Sequence, residues 1–274
     1  MGEISIDQKF NIHEIYKKVR ILNPYRNSGV PVSGIDPDYQ AKLDYASGNF
    51  IPLPSEAQSA IYNQKIIDLK TTDLWNVSDV ILDLSGDADI AFKTLCIKRR
   101  VECVSYGTPT WSNQGWLGNG TDAYIDPLYN TNDIGLKWEL NSAGVSWDSF
   151  KKSTGLKAIT GGYAINTDDY TLVIPNNPSN SYFSINGWDS TTTPAYGVLG
   201  FNSVNRVNSA DILTNNIVLV KGSRTKWAYP LFIGCRNRVD TGGKDLFTNE
   251  GMSFVCMGGA SQDYNAIKAI FDTY

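Results

Sequence analysis

The sequence predicts a mainly β protein, an antiparallel β-sandwich or jelly roll, with a short helical N-terminal segment and a C-terminal helix. Three observations predict it. From about residue 77 onward the chain breaks into short β-branched or aromatic runs separated by Gly, Asn, Asp, Ser and Pro. No helical pattern falls between those runs, which favours antiparallel layers over an α/β sheet. Helical periodicity is confined to the two ends. A chain of 274 residues with 42% hydrophobic and 12% aromatic content can bury a core of its own.

Taken in order, the first element is a short amphipathic helix over Asn11–Arg20. Asn11 followed by Glu14 fits a capping arrangement, and Ile12, Ile15, Tyr16 and Val19 fall at helical spacing. Lys17, Lys18 and Arg20 lie on its other face. Asn23-Pro24 and then Gly29, Pro31, Gly34 and Pro37 read as an extended linker. The helix is therefore free either to pack on its own domain or to dock onto another chain. A second helix is expected over Asp38–Ala46. A third runs from Ser55, which forms a capping box with Gln58, to about Thr72, and ends before Leu74-Trp75. Its expected face is Ala57, Ala60, Ile61, Gln64, Ile67 and Thr71.

Strands are expected at Val80–Leu84 and where Tyr170, Leu172 and Ile174 alternate with Thr171 and Val173. Others are expected around Phe183 and Ile185, and at Gly197–Phe201, Ile217–Val220, Leu231–Gly234 and Met252–Met257. A serine cap at Ser261 followed by Ile267, Ile270 and Phe271 predicts a C-terminal helix that covers a sheet edge. No internal repeat is visible.

Composition removes several functions. The single histidine, His13, leaves almost no material for Ser-His-Asp or Cys-His catalysis or for multi-histidine metal sites. The cysteines Cys96, Cys103, Cys235 and Cys256 form no Cys-x-x-Cys pair and read as buried free thiols, so no zinc is expected. With 24 Lys+Arg against 28 Asp+Glu there is no broad basic surface for nucleic acid. No apolar run approaches the roughly 20 residues of a membrane span, so membrane insertion is not expected. The opening Met-Gly-Glu-Ile-Ser-Ile is not a secretory signal, which points to synthesis in a reducing cytoplasm. No cofactor is expected.

Three stretches carry a resemblance. The run Asp38-Tyr-Gln-Ala-Lys-Leu-Asp-Tyr-Ala-Ser47, the helix through Ala60-Ile-Tyr-Asn-Gln-Lys-Ile-Ile-Asp-Leu-Lys70 and Asp73-Leu-Trp-Asn76 resemble the helical lead-in of bacteriophage virion proteins with a concanavalin A-like (laminin G-like) jelly roll. Gly118-Asn-Gly-Thr-Asp-Ala-Tyr-Ile-Asp126, preceded by Trp111 and Trp116, is similar to a following strand. Pro230-Leu-Phe-Ile-Gly-Cys-Arg-Asn237 and Met252-Ser-Phe-Val-Cys-Met-Gly-Gly-Ala-Ser261 are similar to the closing strands of the same domain. The resemblance covers roughly residues 36–274. It implies a concanavalin A-like sandwich and a structural, adhesive role in a capsid or tail fibre of the virion. Other virion proteins of the capsid, portal or tail would be its partners, and a homo-oligomer is implied, a trimer among the states open.

The expected organisation is an N-terminal attachment segment over 1–35, a helical lead-in over 36–76 and the jelly roll over 77–274. Ile12, Ile15, Tyr16, Val19, Leu22 and Tyr25 are the candidates for docking to the virion or for oligomerisation. Trp188 and Tyr196, flanking Asp189-Ser-Thr-Thr-Thr-Pro194, are the candidates for contact with a bacterial surface glycan, because sugars are held by ring faces and a few polar groups. A free-standing lectin is the alternative. A glycoside hydrolase is disfavoured, since Glu3, Glu14, Glu56, Glu102, Glu139 and Glu250 include no close pair. Asp122 and Asp126, four apart on an expected strand, read as turn residues, as does Asn166-Thr-Asp-Asp169, with loop calcium at Asp168-Asp169 the alternative. Gly118, Gly120 and Gly234 read as backbone necessities.

Overall fold

Helix caps written into the sequence set the start of the folded unit. The computed structural model describes residues 34–164, 169–175, 181–187, 191–193 and 199–274, and residues 36–274 form one unit. Helix α1 (Pro37–Gly48) begins on Asp36, whose carboxylate accepts from the Asp38 amide at 2.9 Å, and Pro37 fills the first turn, where its missing N–H costs nothing. Helix α2 (Glu56–Leu69) begins on Ser55, whose Oγ accepts from the Gln58 amide at 3.2 Å and donates to Asp87 at 2.7 Å. Leu74 and Trp75, expected beyond the helical part, belong to a further short helix, α3 (Asp73–Val77).

The expected face of α2 is corrected. Tyr62, Lys65, Ile66 and Leu69 are buried, whereas Ala57, Ala60, Ile61, Gln64 and Thr71 are exposed. Apolar residues lie on both sides of this helix. What decides between them is the Tyr62 ring and the Lys65 ammonium, which meets Asp83 on the sheet at 2.8 Å.

Two antiparallel sheets form the body. In the first, Ile217–Val220, Asp211–Thr214, Gly200–Arg206, Ala143–Lys151 and Gly251–Gly258 lie side by side in that order. The far side of Gly251–Gly258 is shared. Its first two residues pair with Trp116 and Leu117 of the strand Gly115–Leu117, which in turn pairs with Thr110–Ser112, and Phe254 to Gly258 pair with Ser78–Asp83. The second sheet runs Thr191–Thr193, Ser181–Gly187, Asp169–Ile174, Thr160–Ala164, Phe232–Ile233, Tyr124–Asp126, Val104–Tyr106. The hairpin Arg236–Arg238 and Gly243–Asp245 joins it through a parallel pairing with Thr160–Ala164.

Between the sheets lies the core. Val80, Leu82, Val145, Trp147, Val204 and Val255 of the first sheet face Ile125, Ile159, Val173, Phe183, Ile185 and Ile233 of the second, and Trp116, Trp138 and Trp227 fill the space with them. Each such indole removes roughly 150–250 Å² from water, on the order of 5 kcal/mol at ~25 cal/mol per Å². Gly234 shows why glycine is needed: it sits at φ +89° and a Cβ there would lie 2.6 Å from the Trp116 ring. The guanidinium of Arg206 is fully buried and is held by backbone carbonyls of Ile185, Asn208, Lys221 and Gly222, with burial lowering its pKa to about 10. All four cysteines are buried and free, as the sequence predicts.

A helical layer covers the outside of the first sheet. Tyr39 of α1 and Tyr62, Ile66 and Leu69 of α2 surround Ile81, Ile97 and Phe254. The last helix, α4 (Tyr264–Phe271), lies across this face and not along a sheet edge as expected. Phe271 stacks on Phe201 with centroids 5.1 Å apart and reaches Phe254 at 4.6 Å, and those two rings come from different strands. Its N-cap is Asp263, not Ser261. The Ser261 hydroxyl is drawn away, donating to Asp73 at 2.5 Å.

Candidate functional site

Among the described residues no helix covers the outer face of the second sheet, and its side chains differ in kind. Along Tyr124–Asp126 the central Ile125 points into the core against Ile233, so pleating places Tyr124 and Asp126 on the outer face. Tyr106, directly opposite Tyr124 on the neighbouring strand, stacks on it with centroids 4.7 Å apart and ring planes 11° from parallel. Phe232 meets Tyr124 edge-on at 5.4 Å, and Phe247 lies 6.2 Å away. Four rings drawn from separate parts of the chain thus form one row. Val104–Tyr106 is the last strand of this sheet among the described residues, and Tyr106 is 41% exposed. The row therefore ends on an open ring.

Cations border the rings. The Lys244 ammonium sits 4.6 Å from the centroid of Phe232 and 4.9 Å from that of Tyr124, held by attraction to the ring faces. Beside it, Arg236 makes a two-point contact with Asp245 at 2.7 and 2.5 Å, and Arg238 makes one with Asp240 at 3.0 and 2.7 Å. Both guanidinium groups pack on Tyr163, with Arg236 at 5.7 Å and Arg238 at 5.5 Å. These pairings hold the Asp240 carboxyl below its ordinary range. Burial, with Tyr106 next in importance, raises the Tyr124 phenol, which stays protonated at neutral pH.

On the far side of the edge strand lies an open cleft of about 550 Å³, bordered by Asp89, Ile90, Thr94, Glu102, Val104 and Ser105. That volume falls within the ~300–1,000 Å³ of small-molecule sites. Ile90 and Val104 are 45% and 40% exposed there, and the buried Ser105 Oγ has no hydrogen-bond partner among the described residues. The rings and the ammonium meet at Tyr124, and the acid-bordered cleft lies against the neighbouring strand Val104–Tyr106. The arrangement can hold a ligand by its faces and polar groups.

The buried carboxylates are bound into the scaffold elsewhere. Glu250 accepts from the Ser149 hydroxyl, from Trp147 Nε1 at 3.2 Å and from the Ser153 amide at 3.2 Å, with burial raising its pKa. Asp79 accepts from the Tyr129 hydroxyl at 2.8 Å and from the Lys137 amide. Asp83 is paired with Lys65, and Asp148 accepts from the Ser253 hydroxyl.

Of the residues singled out by sequence, Trp188 and Tyr196 lie outside the described residues, as do Ile12, Ile15, Tyr16, Val19, Leu22 and Tyr25. Asp168 also lies outside them, and Asp169 begins the strand Asp169–Ile174. Asp122 and Asp126 do not share a strand, because that strand starts at Tyr124. Both serve turns: Asn119 Nδ2 donates to Asp122, and Asp126 accepts from the Leu128 amide at 2.8 Å. Sequence reasoning missed the ring row. The one local signal was the outward-inward-outward order of Val104-Ser105-Tyr106 and Tyr124-Ile125-Asp126.

No profile of a known protein family matches the chain, and no curated protein matches it. Among solved structures it is similar to domain 4 of AbnA, a GH43 extracellular arabinanase from Geobacillus stearothermophilus solved with arabinotriose. Identity is 12% and the TM-score 0.43, over 65% of this chain and 92% of that one. It is also similar to the leech intramolecular trans-sialidase complexed with 2,7-anhydro-Neu5Ac, at 16% identity and a TM-score of 0.35, over 63% of this chain and 27% of that one. At these values neither likeness bears on this chain's chemistry.

Proposed function

We propose that this chain is a non-enzymatic surface component of a bacteriophage virion, a capsid or tail fibre protein whose sandwich contacts a host-surface glycan. The observation that carries the contact role is the ring row Tyr106, Tyr124, Phe232 and Phe247, which ends on the exposed Tyr106 at an open edge strand beside a cleft. Aromatic faces receive the C–H faces of sugars, and neighbouring polar groups fix orientation. The buried carboxylates, each bonded within the scaffold, support a holding role over a cleaving one. The virion assignment rests on the resemblance of the lead-in and closing strands to phage virion proteins.

In this reading Ile12, Ile15, Tyr16, Val19, Leu22 and Tyr25 dock the chain on the particle. Immunogold microscopy of purified particles tests the assignment: label at capsid or tail is expected, and unlabelled particles would overturn it in favour of a free lectin. Deleting residues 1–35 is expected to abolish incorporation while leaving glycan binding intact.

A further inference from the structure

We infer that the ligand of the ring row is an acidic oligosaccharide whose carboxylate is received by Lys244; this rests on the glycan-contact reading above. Three cations stand on the hairpin beside the rings. Two of them, Arg236 and Arg238, already face Asp245 and Asp240 in two-point contacts. The third, Lys244, is half-buried over Phe232 and Tyr124 and has no hydrogen bond or ion pair among the described residues. Rings satisfy an ammonium only in part, because they offer no lone pair to its three N–H donors. Its position is fixed while its hydrogen-bonding capacity is left over.

The chain as a whole carries a net charge of −4, which disfavours anionic ligands at a distance. A local uncompensated cation on such a surface is therefore selective in where it admits a negative group. The opposite side of the edge strand sharpens the choice. Asp89 and Glu102 border the cleft there, so a carboxylate is repelled from the cleft and attracted to the ring row. An acidic sugar stacked on the open Tyr106 end would meet Lys244 in one orientation, with its uncharged part toward the cleft. A neutral sugar gains the ring contact but leaves the ammonium unused.

The test is a panel of matched saccharides, uronate and nonulosonate oligomers each offered as free acid and as methyl ester together with neutral oligomers. Binding is measured by titration calorimetry to the full chain and to Lys244→Gln. Lys244→Gln gives up only the two ring contacts of the ammonium, so a small loss of Tm with an intact fold is expected. At least tenfold tighter binding of one acid over its own ester, lost in Lys244→Gln, is the expected result. Equal binding of acids and esters by the wild type would overturn the inference while leaving the glycan-contact reading in place. An acid preference that survives Lys244→Gln would overturn the role of Lys244. Failure to bind any member of the panel would overturn both.

Discussion

The two outer faces of the sandwich handle charge in opposite ways. On the first sheet, helices α1, α2 and α4 press charged groups into a dry layer, where Lys65 meets Asp83 and Lys42 is buried with its ammonium 4.4 Å from the Phe92 ring. On the second sheet, Arg236, Arg238 and Lys244 lie over rings at the surface, still in reach of water. Burial makes the first face expensive to alter and inert toward ligands. Exposure makes the second cheap to alter and available.

Breaking the buried pair gives the largest expected effect. Lys65→Ala removes the partner of Asp83 Oδ2 and leaves the carboxylate only the Ser85 amide and hydroxyl on Oδ1, in a layer bordered by Tyr62, Ile81 and Phe254, and a loss of about 3–5 kcal/mol in urea unfolding is expected. A loss below 1 kcal/mol would mean that water reaches this layer and that the two faces do not differ.

Lys42 gives an intermediate effect with a pH signature. Burial lowers its pKa to about 8 from an ordinary value of 10.5, and Asp83 is the main charge opposing that shift; the Lys65, Cys96 and Cys103 side chains also lie in its surroundings. Below pH 8 the ammonium is charged in both folded and unfolded chains, so the cost of burying it is fully present. Between about pH 8 and 10.5 the unfolded chain holds the proton that the folded chain has released, and this contribution to stability rises with pH. Lys42→Met is therefore expected to be more stable than wild type at pH 7, by roughly 2–3 kcal/mol at most, with the gap closing toward pH 10. A gap in Tm that stays constant from pH 7 to 10 would show that the ammonium is solvated.

The smallest stability effect and the largest functional one are expected at Tyr106. Removing its ring in Tyr106→Ala gives up one stacked pair, about 1 kcal/mol. Glycan binding, measured on the same saccharide panel, is expected to fall at least tenfold. Unchanged binding would move the contact away from the ring row.

How much of this was legible in the sequence follows the same division. The cap at Ser55 and the β-rich body were readable because they depend on local chemistry and on runs of β-branched residues, whereas the Asp36 cap was not, because Pro37, which fills the first turn, read as linker. The strand Ala143–Lys151 was not, although it sits at the centre of the first sheet. Covered on both faces, it replaces alternation with Ala143, Gly144, Ser146 and Ser149, which read as loop residues. The buried side of α2 was hidden because a lysine, Lys65, lies on it beside Ile66, while Ile61 lies on the exposed side. The ring row was hidden for another reason: Tyr106, Tyr124, Phe232 and Lys244 come together only through strand pairing, and no window of sequence contains them.

The last turn of α2 touches both ends of the unit. Lys70 holds Asp36 at 2.7 Å where the chain enters, and Asp68 accepts from the Tyr274 hydroxyl at 2.5 Å where it leaves. Nearby, Asp73 bonds to Ser261 and to the Gln262 amide across nearly the whole length of the fold. One turn of helix thus ties residues at opposite ends of the unit, so that unravelling either end costs the other a partner on α2.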